Sequence, residues 1–290
     1  MIHRNKDQFL ASLDLAVNRT GFLAHLLEKD YYLTLILSRI NELSDKLIFK
    51  GGTCINKIYY SYYRLSEDLD FSIQLPDYTV TRSIRRKCIQ PVKERIEEYA
   101  KQFGMRVDGI KEAGRNVSKQ YIYYFIYKSV VQPSEQSIKF EIGLRFNPIA
   151  KVEKRKVQHK FLHPFTEEPL FDGGEVNCLA LNEIVAEKLR AAAIRLAIAP
   201  RDFYDLDFIL RHGFKLQNPE VMRLFKIKLK EDGGDTDLKK YWINMGRSDD
   251  EIAEMKSRIE EELSEVLTHN ERKNFDLDKA LKRINKAMGD

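Results

Sequence analysis

Asp68 and Asp70 stand two residues apart in the segment DLDFSIQL, with Glu67 just ahead of them. Residues i and i+2 of a strand share a face and lie about 6.6–6.8 Å apart along it. The two carboxylates would therefore converge on a point above the sheet, while Leu69, Phe71 and Ile73 take the other face. Carboxylates at that range repel, and a hard cation relieves the repulsion. Mg²⁺ suits them, since it is often held by one or two carboxylates together with substrate phosphates. The plainer alternative is a solvent-exposed strand end decorated with acids.

Gly51, Gly52 and Thr53 precede the acids, between the short apolar run LIFK (47–50) and CINKIYYSYY, which reads as the start of a helix. Such a corner points backbone N–H groups outward, where they and the helix N-terminus attract phosphate. A tight turn needing positive φ would also select glycine. Strand, G-G-T, helix and D-x-D strand in succession suit a nucleoside triphosphate with its Mg²⁺. A third carboxylate comes from 137–147, where Phe140, Ile142, Leu144 and Phe146 alternate with Lys139, Glu141, Gly143 and Arg145. Pairing of that strand with the D-x-D strand would bring Glu141 beside Asp68 and Asp70. Otherwise Glu141 is an ordinary exposed strand acid.

The elements that must position these residues are legible in outline. The first 45 residues carry apolar side chains at helical spacing (Leu26, Tyr32, Leu33, Ile36, Leu37, Ile40). A helix is expected at 82–103, bent at Pro91, then strands at 120–131, 137–147 and 152–162. Proline and glycine cluster between 164 and 174, the expected domain junction. Beyond it, helices are expected at 181–198, 201–211, 219–230, 249–267 and 275–287. The expected architecture is an α/β (α+β) domain with a mixed sheet over 1–165, followed by a helical bundle domain over 166–290.

Composition narrows the class. The 290 residues are 43% apolar and 32% charged, with a formal net charge of +5, which fits a globular protein. Basic residues gather at Arg82, Arg85, Arg86 and Lys87 and again at Lys151, Lys154, Arg155, Lys156 and Lys160. They are either solvated faces or a track for a polyanion such as RNA. Three cysteines without metal-ligand spacing argue for a reducing compartment. No apolar run is long enough to span a membrane, and MIHRNKDQFL lacks the apolar core of a signal peptide. A cytoplasmic location is the expectation.

G-G-T followed by R-L-S-E-D-L-D-F (64–71) resembles the DNA polymerase β superfamily of nucleotidyltransferases. More closely, the chain resembles the AbiEii/AbiGii branch of abortive-infection toxins. L-E-K-D-Y (27–31) is similar to the branch's E-K-D-y segment, N-E-I-V-A-E-K-L (182–189) to its E-i-x-A-E-K-L motif, and R-D-F-Y-D-L (201–206) to its R-D-x-y-D-L motif. Thr53 stands where many superfamily members have serine, and it keeps a hydroxyl and a backbone N–H. The chain after about 215 is not covered by the motifs.

The resemblance implies a polymerase β-like domain in which Asp68 and Asp70 hold Mg²⁺, with Glu141 as a third acid. It also implies that Gly51, Gly52 and Thr53 cradle the triphosphate with Ser66 nearby, and that Lys188 and Asp202 face the same cleft, with Asp205 as an alternative. Read without the family, Lys188 lies within the apolar stripe Leu181, Ile184, Val185, Leu189, Ala192 and Leu196. It either snorkels or meets triphosphate oxygens, and Asp202 either caps its helix or belongs to the cleft. The implied activity is transfer of an NMP from an NTP to an acceptor hydroxyl, with RNA or tRNA as acceptor and a cognate antitoxin as partner. A transferase acting on a small hydroxyl compound of the aminoglycoside kind and a catalytically inactive nucleotide- or RNA-binding protein are the alternatives.

Overall fold

The fold is described from a computed structural model, which describes residues 1–76, 80–112 and 114–289. The chain divides into two compact units, Met1–Leu179 and Ala180–Asp290.

The first unit opens with helices α1 (Lys6–Thr20), α2 (Ala24–Ser38) and the short α3 (Ile40–Leu43). Asn5 caps α1 by accepting from the Gln8 amide, and Gly21 ends it in the left-handed conformation at φ 75°. Then follow β1 (Leu47–Lys50), α4 (Gly51–Cys54), which runs straight into a π-helical turn at Ile55–Tyr59, and β2 (Asp68–Ile73). Helix α5 (Arg82–Gln102) passes through Pro91 as one element. Strand β3 (Arg106–Asp108), the turn α6 (Arg115–Ser118), β4 (Gln120–Lys128), β5 (Glu135–Gly143), β6 (Glu153–Lys156) and β7 (Glu175–Cys178) complete the unit.

The seven strands form one mixed sheet in the order β3-β4-β5-β2-β1-β7-β6. Pairs β2–β5 and β1–β7 are parallel, and the other four are antiparallel. An aromatic row fixes the central register. Phe49, Phe71 and Phe140 lie on adjacent strands with ring centroids 5.3 and 4.9 Å apart, and Phe125 continues the row at 5.2 Å. All four are buried. A slip of one residue would turn these rings to the opposite face and send the acids of β2 into the core, so burial of the row specifies where Asp68 and Asp70 point.

Strand β7 falls within 166–179, and it joins the sheet by pairing Cys178 with Phe49 of β1. Strand β3 was not anticipated either. The expected strand 152–162 is regular only over Glu153–Lys156. After it the main chain makes scattered bonds in place of a ladder, with the Gln158 amide donating to the Lys57 carbonyl at 2.9 Å and the Leu170 amide to the Phe161 carbonyl at 3.0 Å, while His159 stacks on Phe171 with centroids 4.4 Å apart.

The second unit is helical: α7 (Leu181–Ile194), α8 (Pro200–Arg211), α9 (Pro219–Glu231), α10 (Asp249–Ser257), α11 (Ile259–Glu262), α12 (His269–Asn274) and α13 (Leu277–Gly289). Helix α7 packs on α8 and α9, and α13 packs on α8 through Leu277, Ala280, Leu281, Ile284 and Met288 on its buried face. The expected continuous helix 249–267 is broken instead. Leu263 leaves the helical region at φ −128°, and a 3₁₀ turn at Ser264–Val266 follows. Among the described residues no helix is long and apolar enough to cross a membrane.

Candidate active site

Strand β2 lies between β1 and β5, and its register places charge against charge. Asp70 pairs with Lys50 on one side and Glu141 on the other, and Asp68 pairs with Lys139. Leu69 and Phe71 are buried while Asp68 and Asp70 are half-buried, so the carboxylates leave the sheet on the face opposite the aromatic row. Burial, with the Glu141 charge next to it, pushes the Asp70 carboxyl up to about 6, against the pull of Lys50. Glu141 behaves differently. Burial works to raise it, yet it is held below the ordinary carboxylate value by Lys139 Nζ, 2.7 Å from Oε2, and by Gln120 Nε2, which donates to Oε1 at 2.6 Å. The structure thus brings Asp68, Asp70 and Glu141 to one patch, with two lysines that the sequence argument left without a role.

The glycine corner is dictated by the same acids. Gly51 sits at φ 77°, and the Asp70 carboxylate fills the space that a Cβ would need. A Cβ on Gly52 would lie 2.6 Å from Arg64 Nη2. At Gly51 the positive φ and the packed carboxylate both exclude a side chain, whereas at Gly52 a side chain would require the Arg64 guanidinium to move. Thr53 is buried; its Oγ1 lies 2.8 Å from Ser66 Oγ and donates to the main-chain carbonyl of Asp68. Thr53 and Ser66 therefore tie the corner to the start of β2.

The E-K-D-Y segment of α2 holds this assembly from behind. Glu28, buried, accepts from Ser129 Oγ at 2.5 Å and from the Val130 amide at 2.7 Å, fixing the end of β4. Lys29 Nζ lies 2.8 Å from Glu67 Oε2, next to the metal-candidate acids. Asp30 meets Lys57 of the π turn, whose Nζ is 2.7 Å from both carboxylate oxygens and also donates to Thr34 Oγ1 and Tyr62 OH at 2.9 Å. Burial draws the Lys57 ammonium below its ordinary value, while Asp30 opposes the shift. Lysine in the apolar run INKIYY was the signal for this group; its partner, 27 residues earlier, could not be read from spacing.

Lys188, Asp202 and Asp205 come together inside the second unit. Lys188 Nζ lies 2.6 Å from Asp202 Oδ1 and 2.8 Å from Asp205 Oδ2, and Arg195 reaches Asp202 Oδ2 at 3.2 Å. Asp202 is not the cap of α8, since Ala199 holds that position and Pro200 begins the helix. The ammonium on the apolar stripe thus has protein carboxylates as partners. Lys188→Ala should then lower stability by about 2–4 kcal/mol, as expected when one member of a buried pair is removed, with Arg195 limiting the loss. A melting curve without nucleotide checks this; an unchanged or higher Tm would contradict it.

Among the described residues no group of three or more His, Cys, Asp or Glu is placed to hold a metal ion. Asp68 and Asp70 fit the narrower requirement of Mg²⁺, one or two carboxylates completed by water and phosphate oxygens. The upward shift of Asp70, from burial first and from the Glu141 and Asp68 charges second, is a penalty on the carboxylate that a cation would relieve.

No curated protein matches the chain. Several solved structures share its fold, among them the following two. MenT4, a nucleotidyltransferase toxin of Mycobacterium tuberculosis, is 19% identical with a TM-score of 0.58, covering 95% of this chain and 97% of its own. JHP933 from Helicobacter pylori is 17% identical with a TM-score of 0.54, covering 92% of this chain and 91% of its own. The sequence model for the nucleotidyl transferase AbiEii toxin of type IV toxin–antitoxin systems matches residues 35–285. The chain belongs to the AbiEii family of nucleotidyltransferase toxins.

Proposed function

We propose that the protein transfers a nucleoside monophosphate from an NTP to a hydroxyl of RNA, with tRNA as the leading acceptor, in a reaction that needs Mg²⁺. The observation that carries this reading is the register of β2 between β1 and β5. It sets Asp68 and Asp70 on one face, beside a glycine corner whose backbone packs directly against Asp70 and Arg64. Asp68 and Asp70 would hold Mg²⁺, which when bound neutralises phosphate charge and orients the attacking and leaving oxygens. The acceptor oxygen attacks the α-phosphorus, the bond from that phosphorus to the β-phosphate bridging oxygen breaks, and pyrophosphate leaves. The Gly51–Thr53 corner and Ser66 line the approach of the triphosphate, while Lys50 adds positive charge beside Asp70. Lys188 and Asp202 are included in the reading through the family motifs they occupy. A cytoplasmic location and a cognate antitoxin belong to the same proposal, the second because the family is that of a toxin–antitoxin system.

The acceptor class is supported by the basic clusters. Lys151, Lys154, Arg155, Lys156 and Lys160 are exposed, and part of this charge lies on the edge strand β6, where lysine also deters pairing with another chain. Two of the charges are locally paired, Lys154 with Glu175 at 3.0 Å and Arg155 with Glu153 at 2.7 Å. RNA binding should weaken with salt by a log–log slope of about 0.7 per phosphate contacted. Reversing Lys154, Arg155 and Lys156 to glutamate should flatten that slope by about 2. Filter binding across a salt series measures it. A salt-independent affinity, or an unchanged slope, would remove this surface from the acceptor site and favour a small hydroxyl compound.

A further inference from the structure

We propose that Lys139 is the second cation of the acid cluster, so that the site takes one divalent ion where a three-acid site would take two. The inference rests on the metal-dependent reading above and concerns how many ions the cluster accepts. Glu141 is on the correct strand and face to be a third metal ligand, next to Asp70 in register. Both of its oxygens are nevertheless engaged. Lys139 Nζ lies 2.7 Å from Oε2, and Gln120 Nε2 donates to Oε1 at 2.6 Å. The geometry is built into the strands. Lys139 and Glu141 are i and i+2 on β5, facing the same way, and Gln120 comes from β4, opposite Gly143.

Lys139 is also aligned with Asp68 across the β2–β5 pair, and its charge is felt at Asp70. One ammonium therefore serves all three carboxylates. The bond to Glu141 is charge-assisted and half-buried, with the two side chains 34% and 24% exposed, which makes it stronger than a neutral hydrogen bond. A metal ion seeking Glu141 would have to displace it.

Charge balance points the same way. Asp68, Asp70 and Glu141 carry three negative charges, and Lys50 and Lys139, paired across from them, carry two positive ones. The remainder is one negative charge, which a single divalent ion turns to one positive. A second divalent ion would raise the patch to three positive charges around a fixed ammonium. Mg²⁺ sites built from two carboxylates and substrate phosphates need no third acid.

The test is to count Mn²⁺ bound to the full-length protein, without nucleotide, from the electron paramagnetic resonance signal of the free ion. The wild type should bind one Mn²⁺, lost in Asp70→Asn. Glu141→Gln should keep that single ion, which tests the idea without touching the lysine. Lys139→Met frees Oε2 of Glu141, leaving Oε1 on Gln120, and should raise the count to two. Lys139→Met combined with Glu141→Gln should return it to one. The Lys139 side chain is partly exposed, and Lys139→Gln provides a second neutral replacement should Lys139→Met fold poorly. Two ions in the wild type, loss of the ion in Glu141→Gln, or a count of one in both lysine variants would overturn the inference while leaving the metal reading intact. No ion sensitive to Asp70→Asn in any variant would overturn the metal reading, and this inference with it.

Discussion

Asp70→Asn is expected to abolish nucleotidyl transfer, with a loss of at least about 10³-fold in turnover, because charge neutralisation and positioning carry most of phosphoryl-transfer catalysis. The same change should leave the fold intact and, without metal, stabilise it at neutral pH. The Asp70 carboxyl stands at about 6 in the folded protein against an ordinary value of 3.8. Between roughly pH 4 and 6 the folded state therefore binds the extra proton, and stability falls as pH rises through that window. Above it the full penalty applies, on the order of 1–3 kcal/mol for a half-buried group. Asparagine removes that penalty. The variant should melt higher than the wild type at pH 7.5 and nearly with it at pH 4.5, while making no product. Wild-type turnover in saturating Mg²⁺ would sink the assignment of Asp70.

A second large effect is expected behind the glycine corner, at a buried ion pair. Lys57→Met would leave the Asp30 carboxylate buried without its ammonium, a loss of about 3–5 kcal/mol for a broken interior pair. In a unit of this size that lowers Tm by about 10 °C. Lys57 belongs to the π turn that continues the glycine-corner helix, and Asp30 belongs to α2, so the corner would loosen and activity should fall with stability. Lys57→Met combined with Asp30→Leu should recover much of the loss, since a hydrophobic pair of similar volume often matches a buried ion pair. Differential scanning calorimetry of the two variants checks both claims. A Tm for Lys57→Met within 2 °C of wild type would show that the network does not hold the corner.

The contrast between these sites shows what could be read from the sequence. Alternation in β2 and β5 fixed which side chains share a face, because Phe71 and Phe140 must be buried, and that alone placed Asp68, Asp70 and Glu141 on the outer face. It also placed Lys139 there, but period-two patterning carries no distances, so the 2.7 Å contact that occupies Glu141 was invisible. The Lys188 stripe was legible and its partners were not, since Asp202 and Asp205 meet it only once α7 packs on α8. Strand β7 was missed for a related reason. Glu175–Cys178 is four residues long and follows a glycine pair; it is a strand through its antiparallel ladder with β6 and its parallel pairing with β1, the second more than a hundred residues earlier. Local pattern reports faces and periods; ion pairs and parallel edges depend on contacts distant in sequence.

The central claim is that this chain moves the α-phosphoryl group with its nucleoside, and position-specific labelling tests it most directly. Purified protein is incubated with Mg²⁺, total RNA and an NTP labelled either at the α- or at the γ-phosphate. The label retained on RNA is then measured alongside the Asp70→Asn protein. The account predicts label on RNA from the α-position alone, release of pyrophosphate carrying the γ-label, and neither with the variant. Transfer of the γ-label to RNA, or α-label incorporation that survives Asp70→Asn, would contradict it.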